Sequence, residues 1–233
     1  MSHANHSGNS SPNDDPAVVP FRLPRLQLIT PEMACDDPDD LVRKVVAALS
    51  AGANWLQLRT KILTDAELFR RSEPFEMACA EFESTLIIDD RVDVAMALGA
   101  DGVHVGADDL PVDVVRELID PDAIVGATAR TIDEARRAEG DGATYLGVGP
   151  VFTSGSKGLT VSEPIGLGGL EAICSAVSLP VFAISGIEVR HVPSLIEAGA
   201  WGMAVINAVF GAPSVADAVH AFLEALPADG GAP

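Results

Sequence analysis

Short apolar segments alternate with longer amphipathic segments along most of the chain. Eight of the apolar segments are rich in Val, Ile and Leu and have the length of buried β-strands. They span residues 25–30, 55–60, 85–90, 102–106, 123–128, 145–151, 180–185 and 202–208. The stretches between them have helical periodicity, for example residues 39–51, 131–141 and 214–226. This alternation predicts βα units around a buried parallel sheet.

The dipeptide Gly-Ala precedes four of these strands, at residues 52–53, 99–100, 142–143 and 199–200. A glycine at the end of a helix can take a left-handed backbone, and the small alanine lets the chain turn into the sheet. Eight βα units in 233 residues predict an α/β fold, a single-domain (β/α)8 TIM barrel, which typically takes roughly 250 residues. A doubly wound sheet is the alternative, but no G-x-G-x-x-G follows the first strand.

The barrel domain is predicted to span residues 23–226. Residues 1–22, rich in Ser, Asn, Asp and Pro, are expected to form a disordered tail, and residues 227–233 a loose C-terminal end. The tail has no apolar segment of the kind found in secretory signals. The three cysteines are widely spaced without a CxxC motif, which predicts reduced thiols in a cytoplasmic protein.

The charge and the hydropathy of the chain each exclude one class of partner. The formal net charge is −19, and the fifteen Lys and Arg residues are scattered, whereas nucleic-acid binding needs a basic surface. No run of about 18 consecutive apolar residues occurs, so we expect no membrane span. The sequence leaves the oligomeric state open, a homo-oligomer included.

In a (β/α)8 barrel the active site lies at the carboxyl ends of the strands. Gln57, Arg59 and Lys61 alternate along the end of the second strand and therefore share one face. Two cations and an amide on one face suit a phosphate or pyrophosphate. Salt bridges to nearby carboxylates are the alternative explanation for these cations.

Carboxylates follow the next two strands. Asp89 and Asp90 end the third, and Asp108 and Asp109 follow the fourth. Beside a phosphate site, such oxygen ligands suit Mg²⁺. Alternatively, Asp89 and Asp108 cap helices or pair with Arg91.

The later strand ends carry hydroxyl groups and glycines. Thr128 follows the fifth strand, where it either donates to a phosphate or caps the next helix. A run of Gly, Ser and Thr leads to Lys157 after the sixth strand, and Gly186 and Asn207 lie at the ends of the last two. Loops after the last two strands are the usual phosphate site of this fold, so two phosphorylated ligands, or one long one, are predicted. Within the fourth strand, His104 is expected to be a hydrogen-bonded core residue rather than a general base.

The segments QLRTK, IIDDRVDVAMALGADGVHVGADDLP, YLGVGPVFTSGSKG, PIGLGGL and VFAISGI together resemble the thiamine-phosphate synthase family. They occur in the family's order and spacing over residues 25–226. The resemblance implies an enzyme that joins hydroxymethylpyrimidine diphosphate to a thiazole phosphate, giving thiamine phosphate and pyrophosphate. It also implies Mg²⁺ as cofactor and phosphorylated pyrimidine and thiazole small molecules as partners.

The resemblance assigns roles residue by residue. Arg59, Lys61 and Lys157 would neutralise the departing pyrophosphate, and Asp90 and Asp109 would ligate Mg²⁺. Substrate binding would fall to Gln57, Leu58, Arg59, Thr60, Lys61, Asp89, Thr128, Ser154, Gly155, Ser156, Lys157, Gly186, Ile206 and Asn207. The family's dissociative substitution needs no protein nucleophile.

Several positions depart from the family pattern. Asp89 stands in place of an asparagine, Ala107 in place of glutamine, Ser185 in place of glycine and Asn207 in place of serine. These changes keep open a catalytically weak, phosphate-binding member of the superfamily. A thiazole tautomerase is the other alternative, but that paralogue uses a histidine where this chain has Arg130, and arginine is a poor acid or base.

Overall fold

The computed structural model describes residues 23–153 and 163–227. The predicted tail at residues 1–22 and the last six residues of the predicted C-terminal end lie outside the described residues. Four predicted site residues also lie outside them, namely Ser154, Gly155, Ser156 and Lys157.

Eight parallel strands close into a barrel in the order β1 to β8, with β8 paired to β1. The strands are β1 (Leu26–Ile29), β2 (Trp55–Leu58), β3 (Thr85–Asp89), β4 (Gly102–Val105), β5 (Ile124–Ala129), β6 (Tyr145–Val148), β7 (Val181–Ile184) and β8 (Gly202–Val205). The predicted (β/α)8 fold is therefore confirmed, and the doubly wound alternative is wrong because the sheet has no free edge.

Helices follow the strands around the outside of the barrel. They are α1 (Pro38–Ser50), α2 (Asp65–Glu81), α3 (Val92–Leu98), α4 (Val112–Leu118), α5 (Ile132–Gly140), α6 (Gly166–Cys174), α7 (Val192–Glu197), α8 (Asn207–Phe210) and α9 (Val215–Ala225). A short 3-10 helix at Val189–His191 precedes α7. Side-chain caps fix several starts, as when Asp37 accepts the amide of Asp40 at α1. No helix in the described part of the chain has the length and apolar character needed to cross a membrane.

Most strands end earlier than the sequence predicts, and β6 and β8 differ most, by three residues each. β6 ends at Val148 instead of residue 151, because Pro150 has no N–H to continue the strand ladder. β8 ends at Val205 instead of residue 208, and Asn207 is the first residue of α8 rather than part of the strand. The carbonyl of Ile206 accepts the amide of Phe210 at 2.9 Å, which commits the chain to a helical turn.

The Gly-Ala pairs lie where the helices turn into the sheet. Their glycines have positive φ angles of 98°, 67°, 96° and 91° at Gly52, Gly99, Gly142 and Gly199. Gly99 is the C-cap itself, and each of the others follows the C-cap residue of its helix. The predicted function of these glycines is confirmed, since a side chain would be strained in this conformation.

The barrel has two apolar layers. Outward-facing strand residues such as Leu56, Leu58 and Leu146 pack under the helices in one large core. Inside the barrel, a second cluster fills the end nearest the strand N-termini and consists of Leu23, Trp55, Ile87, Ile124, Tyr145 and Phe182. The ring of Trp55 packs edge-on against Tyr145 and Phe182, with centroids 4.9 and 4.8 Å apart. This cluster, called the floor below, closes one end of the barrel and leaves the other end for the site.

Candidate active site

A cavity of about 330 Å³ opens at the carboxyl ends of the strands. Its lining comprises Gln27, Ile29, Gln57, Arg59, Lys61, Asp89, Asp90, His104, Gly106, Ala107, Asp108, Asp109, Thr128, Gly147, Ile184, Ala204 and Ile206. It lies directly above the floor, because alternate residues of a strand share a face and Gln57 follows Trp55 on the inner face of β2. The cavity therefore occupies the position at which (β/α)8 enzymes carry their active sites.

The cations predicted to form a phosphate clamp line this cavity. Arg59 Nε lies 3.6 Å and Lys61 Nζ lies 3.4 Å from Oδ2 of Asp89. Lys61 also makes a close ion pair with Asp90. The salt bridges expected as the alternative to a clamp are thus formed. Both cations nevertheless stay accessible, with 29% of the Arg59 side chain and 50% of the Lys61 side chain exposed, so they can also contact a ligand.

Neighbouring carboxylates keep Lys61 charged. Burial alone would lower the pKa of Lys61, but the hydrogen bond to Asp90 and the charges of Asp89 and Asp90 raise it above its ordinary value. The ammonium group is therefore a permanent cation at the mouth of the cavity.

The carboxylates of β3 and of the loop after β4 are close together. Burial, the charge of Asp89 and a hydrogen bond with Asp109 raise the pKa of Asp90 to about 6, although Lys61 acts against them. Burial also raises the pKa of Asp89, which Lys61 and Arg59 lower only in part. Asp109 is held by the amide of Gly106, which donates to its Oδ2 at 2.9 Å. Carboxyl groups brought together in this way repel each other when both are ionised, which favours a bound cation.

This pair fits a magnesium ion. Within residues 23–153 and 163–227, no group of three or more His, Cys, Asp and Glu side chains forms a ready-made metal site. Mg²⁺, however, usually takes one or two protein carboxylates and completes its coordination with water and substrate phosphates. The carboxyls of Asp90 and Asp109, which line one cavity beside a cationic clamp, match that requirement.

Two alternative functions for these aspartates are not seen. Arg91 pairs with Asp65 and Asp93 rather than with Asp89. The N-cap residue of α3 is Arg91 and that of α4 is Pro111, so neither Asp89 nor Asp108 is the cap of the following helix.

A loop from β1 holds the clamp in place. The amide of Arg59 donates to Thr30 Oγ1 and the amide of Lys61 donates to the Glu32 carboxylate, both at 2.9 Å. Glu32 also accepts a close hydrogen bond from the Thr60 hydroxyl. Burial would raise the pKa of Glu32, but these donors lower it below its ordinary value, so the group stays ionised. Sequence reasoning missed Glu32, since nothing in its local pattern indicates a contact with β2.

Two residues assigned to the site by resemblance have side chains elsewhere. Leu58 is fully buried in the core between the sheet and the helices. Thr60 bonds to Glu32 and does not line the cavity. Strand alternation explains both placements, because Leu58 and Thr60 face away from Gln57, Arg59 and Lys61.

His104 lies on the inner wall, 8% exposed, with both ring nitrogens occupied. Nδ1 lies 3.0 Å from the Tyr145 hydroxyl and Nε2 lies 3.0 Å from Thr128 Oγ1. Burial lowers the pKa of His104 to about 4, so the ring is neutral near pH 7. This environment is that of the expected core histidine, and neither nitrogen is free to act as a general base. Thr128 does not cap α5, whose N-cap is Thr131.

Three residues assigned to the phosphate cradle, Gly186, Ile206 and Asn207, follow the ends of β7 and β8, and of these only Ile206 is among the lining residues of the cavity. Gly186 has φ 68°, and a side chain there would lie 2.8 Å from Phe152 and from the Thr153 carbonyl. Ser185 also has a positive φ, 78°, and this backbone conformation is strained for any residue other than glycine. Ile206 lines the cavity and Asn207 begins α8 beside it.

The wall opposite the charged residues is apolar. Ile29, Ile184, Ala204 and Ile206 form it, so one cavity has a charged half and an apolar half. Sequence reasoning assigned only Ile206 to the site. Gln27 was missed as well, although a polar residue on the inner face of an apolar strand was a usable signal.

Comparisons with known proteins identify the family of the chain. The sequence model of the family described as thiamine monophosphate synthase matches residues 26–209. The thiamine-phosphate synthase of Moorella thermoacetica is 46% identical over 185 residues, which cover 79% of this chain and 86% of that protein. The enzyme of the same name from Salinispora arenicola is 44% identical, covering 88% of this chain and 98% of that protein.

A solved structure extends the agreement to the fold. The thiamine phosphate pyrophosphorylase of Pyrococcus furiosus superposes with a TM-score of 0.76 at 35% identity, covering 86% of this chain and 94% of that one. The family match over residues 26–209 spans the positions of the clamp and the carboxylates and the ends of β7 and β8. The chain belongs to the thiamine monophosphate synthase family.

Proposed function

We propose that the chain is a thiamine-phosphate synthase, which joins hydroxymethylpyrimidine diphosphate to thiazole phosphate and releases pyrophosphate. The observation that carries the proposal is the divided cavity. A charged wall with Arg59, Lys61 and the aspartates faces an apolar wall at the mouth of a barrel. Relatives of this name, aligned over most of the chain, support the same activity.

The charged wall would bind the diphosphate. Arg59 and Lys61 are permanent cations that project into the cavity from one face of β2, and we propose Lys157 as a third cation for the same group. Asp90 and Asp109 would hold Mg²⁺, which supplies charge neutralisation to the pyrophosphate when bound. Asp89 lies within 3.6 Å of Arg59 Nε and 3.4 Å of Lys61 Nζ, so its negative charge offsets part of the repulsion between the two cations.

The reaction then follows from charge and position. The C–O bond between the pyrimidine methylene and the diphosphate breaks, and its electron pair leaves with the pyrophosphate. The positive charges of Arg59 and Lys61 stabilise that leaving group as its charge develops. The thiazole nitrogen uses its lone pair to form the new C–N bond, so no protein nucleophile takes part.

The apolar wall would hold the rings and exclude water. Ile29, Ile184 and Ala204 offer apolar packing surfaces opposite the cations. Gln57 and Thr128 supply hydrogen-bonding groups for the pyrimidine substrate. The thiazole phosphate would bind at the ends of β7 and β8, to Gly186, Ile206 and Asn207, together with the Ser154–Ser156 segment. Water exclusion matters because water would compete with thiazole for the developing cation.

The tautomerase alternative gains no support from the cavity. Arg130 is exposed and does not line the cavity, and both nitrogens of His104 are occupied. A paired set of carboxylates beside two cations would also have no purpose in a proton transfer that needs no metal. A cytoplasmic location stays a prediction that rests on the thiol pattern.

The test is product formation by the purified full chain. Hydroxymethylpyrimidine diphosphate, thiazole phosphate and Mg²⁺ are supplied together, and thiamine phosphate and pyrophosphate are measured by chromatography. We expect equal amounts of both products, and none when Mg²⁺ is chelated. Folded protein that forms no thiamine phosphate with Mg²⁺ would overturn the proposal.

A further inference from the structure

A chain of hydrogen bonds runs through the buried middle of the barrel to the cavity wall. Gln27 Nε2 on β1 donates to the Tyr145 hydroxyl on β6 at 3.0 Å. That hydroxyl lies 3.0 Å from His104 Nδ1, and His104 Nε2 lies 3.0 Å from Thr128 Oγ1. Gln27, Tyr145 and His104 are buried, whereas Thr128 is partly exposed to the cavity. Tyr145 does not line the cavity, whereas Gln27, His104 and Thr128 do, and Thr128 is the most exposed of these groups.

The barrel has space for these hydrogen-bonded side chains because two residues that face its interior are glycines. A Cβ at Gly126 would lie 2.2 Å from the Tyr145 ring and 2.4 Å from its hydroxyl oxygen. A Cβ at Gly147 would lie 3.1 Å from Cε1 of His104. Alanine at Gly126 would clash with the phenol, and alanine at Gly147 would press on the imidazole. The rings of Tyr145 and His104 therefore fit only because residues 126 and 147 have no side chain.

The direction of the hydrogen bonds follows from the chemistry of each group. Gln27 donates to the Tyr145 oxygen, and donors of this kind lower the pKa of the phenol, which burial raises. The one proton of the phenol is then available for His104 Nδ1. A neutral imidazole carries a single N–H, so that N–H lies on Nε2 and donates to the Thr128 oxygen. The Thr128 proton is left to point into the cavity.

We propose that His104 and Tyr145 are positioning residues, which fix the Thr128 hydroxyl as a donor toward an acceptor atom of the bound pyrimidine diphosphate. The effect on the reaction rests on the proposed function, whereas the hydrogen-bond direction does not. The inference gives a purpose to a tyrosine that does not line the cavity and to a histidine whose two ring nitrogens are already occupied. Without them, the hydroxyl would rotate and could present its lone pairs to the acceptor instead.

A double-mutant cycle tests the link between Tyr145 and Thr128. Tyr145→Phe keeps the ring and removes the hydroxyl, and we expect kcat/KM to fall by about threefold to tenfold, the value of one hydrogen bond. In a Thr128→Val background, the same change should have no further effect on kcat/KM. Thr128→Ser, which retains a hydroxyl, should restore the sensitivity to Tyr145→Phe. Independent, multiplying losses in the Val background would overturn the proposal.

The histidine tautomer tests the direction without any substrate. Nitrogen-15 NMR of histidine-labelled wild-type protein should show one ring protonated at Nε2 and unprotonated at Nδ1. This ring is identified as His104 by its change in Tyr145→Phe. Protonation at Nδ1 would overturn the inferred direction and with it the positioning. An inactive wild-type protein would instead overturn the proposed function, and an active one with the wrong tautomer would overturn the positioning alone.

Discussion

The two ends of the barrel interior are built on the same strands but have opposite chemistry. At the closed end, Trp55, Tyr145 and Phe182 pack edge to face with no exposed surface. One step further along the inner faces of β2 and β3, Gln57 and Asp89 are polar and lie at the cavity. The change from an apolar to a charged interior therefore takes place within two residues of a strand.

The difference teaches that stability and chemistry are separated along the barrel axis. The floor buries large rings and so favours folding. The mouth does the reverse, because burial raises the pKa values of Asp89 and Asp90 and makes their ionised forms costly. Residues of the floor should thus affect unfolding, with the Tyr145 hydroxyl, which lies 3.0 Å from His104, as the exception, and residues of the mouth should affect ligands and turnover.

The largest expected effect is on the floor. Trp55→Ala removes a fully buried ring that contacts Tyr145 and Phe182, and should lower the free energy of unfolding by about 3–5 kcal/mol. Urea denaturation measures it. Ile62→Ala, at a side chain that is 70% exposed, is the control and should change stability by less than about 0.5 kcal/mol. Equal effects at the two positions would contradict the assigned function of the floor.

At the mouth, Lys61→Ala should lower kcat/KM by about a hundredfold to a thousandfold, the usual loss when one preorganised charge-stabilising donor is removed. Its melting temperature should change little, because half of the side chain is exposed. Lys44→Ala is a matched control, since Lys44 pairs with Asp40 on α1 at 2.9 Å, outside the cavity. Steady-state kinetics measure kcat/KM for both variants. A similar loss of kcat/KM in Lys44→Ala would refute a special function for Lys61.

The β-strand pattern made the barrel predictable, and the same pattern predicted part of the mouth. Alternation along β2 was enough to place Gln57, Arg59 and Lys61 on one face, because that relation is local. The resemblance added Leu58 to the substrate-binding residues, yet alternation places its side chain in the outer core. Where the two disagreed, the local geometry was the better guide to the side chain.

Contacts that depend on barrel closure could not be predicted. Gln27 and Tyr145 bond across 118 positions of sequence, and Glu32 holds Lys61 across 29. Neither pair has a sequence signal. Closure of the barrel brings Gln27 on β1 across the interior to Tyr145 on β6, and the pairing of β1 with β2 brings Glu32 to Lys61. The end of β8 was mispredicted for a related reason, because the apolar run continues through Val209 while the backbone has already turned into α8.

A smaller effect concerns the charge repulsion at the mouth. The pKa of Asp90 is raised from 3.8 to about 6 in the folded protein. Its contribution to the free energy of unfolding is therefore fully present below pH 3.8, and is lost as the pH rises through about 6. Asp90→Asn should therefore be more stable than wild type above pH 6 without Mg²⁺, and this advantage should vanish in acid. Urea midpoints across this range measure it. A variant that is less stable throughout would show that the Lys61 ion pair outweighs the repulsion.

The smallest expected effect is that of His104 on stability, and its pH dependence is opposite to that of Asp90. The pKa of His104 is lowered to about 4 from 6.5, so its contribution to stability is present above pH 6.5 and is lost as pH falls through about 4. His104→Asn should lose less stability than wild type across that interval. The exposed His220→Asn variant in α9 should follow the wild-type curve. Parallel curves for wild type and His104→Asn would contradict the neutral, buried histidine.

The central claim is that the charged wall binds a diphosphate together with Mg²⁺, and titration calorimetry with inorganic pyrophosphate tests it most directly. Wild-type protein should bind pyrophosphate when Mg²⁺ is present and lose most of that affinity when the metal is chelated. Asp90→Asn should behave as chelated wild type does, even with Mg²⁺ present. Equal pyrophosphate affinity with and without Mg²⁺, unchanged in Asp90→Asn, would contradict the account.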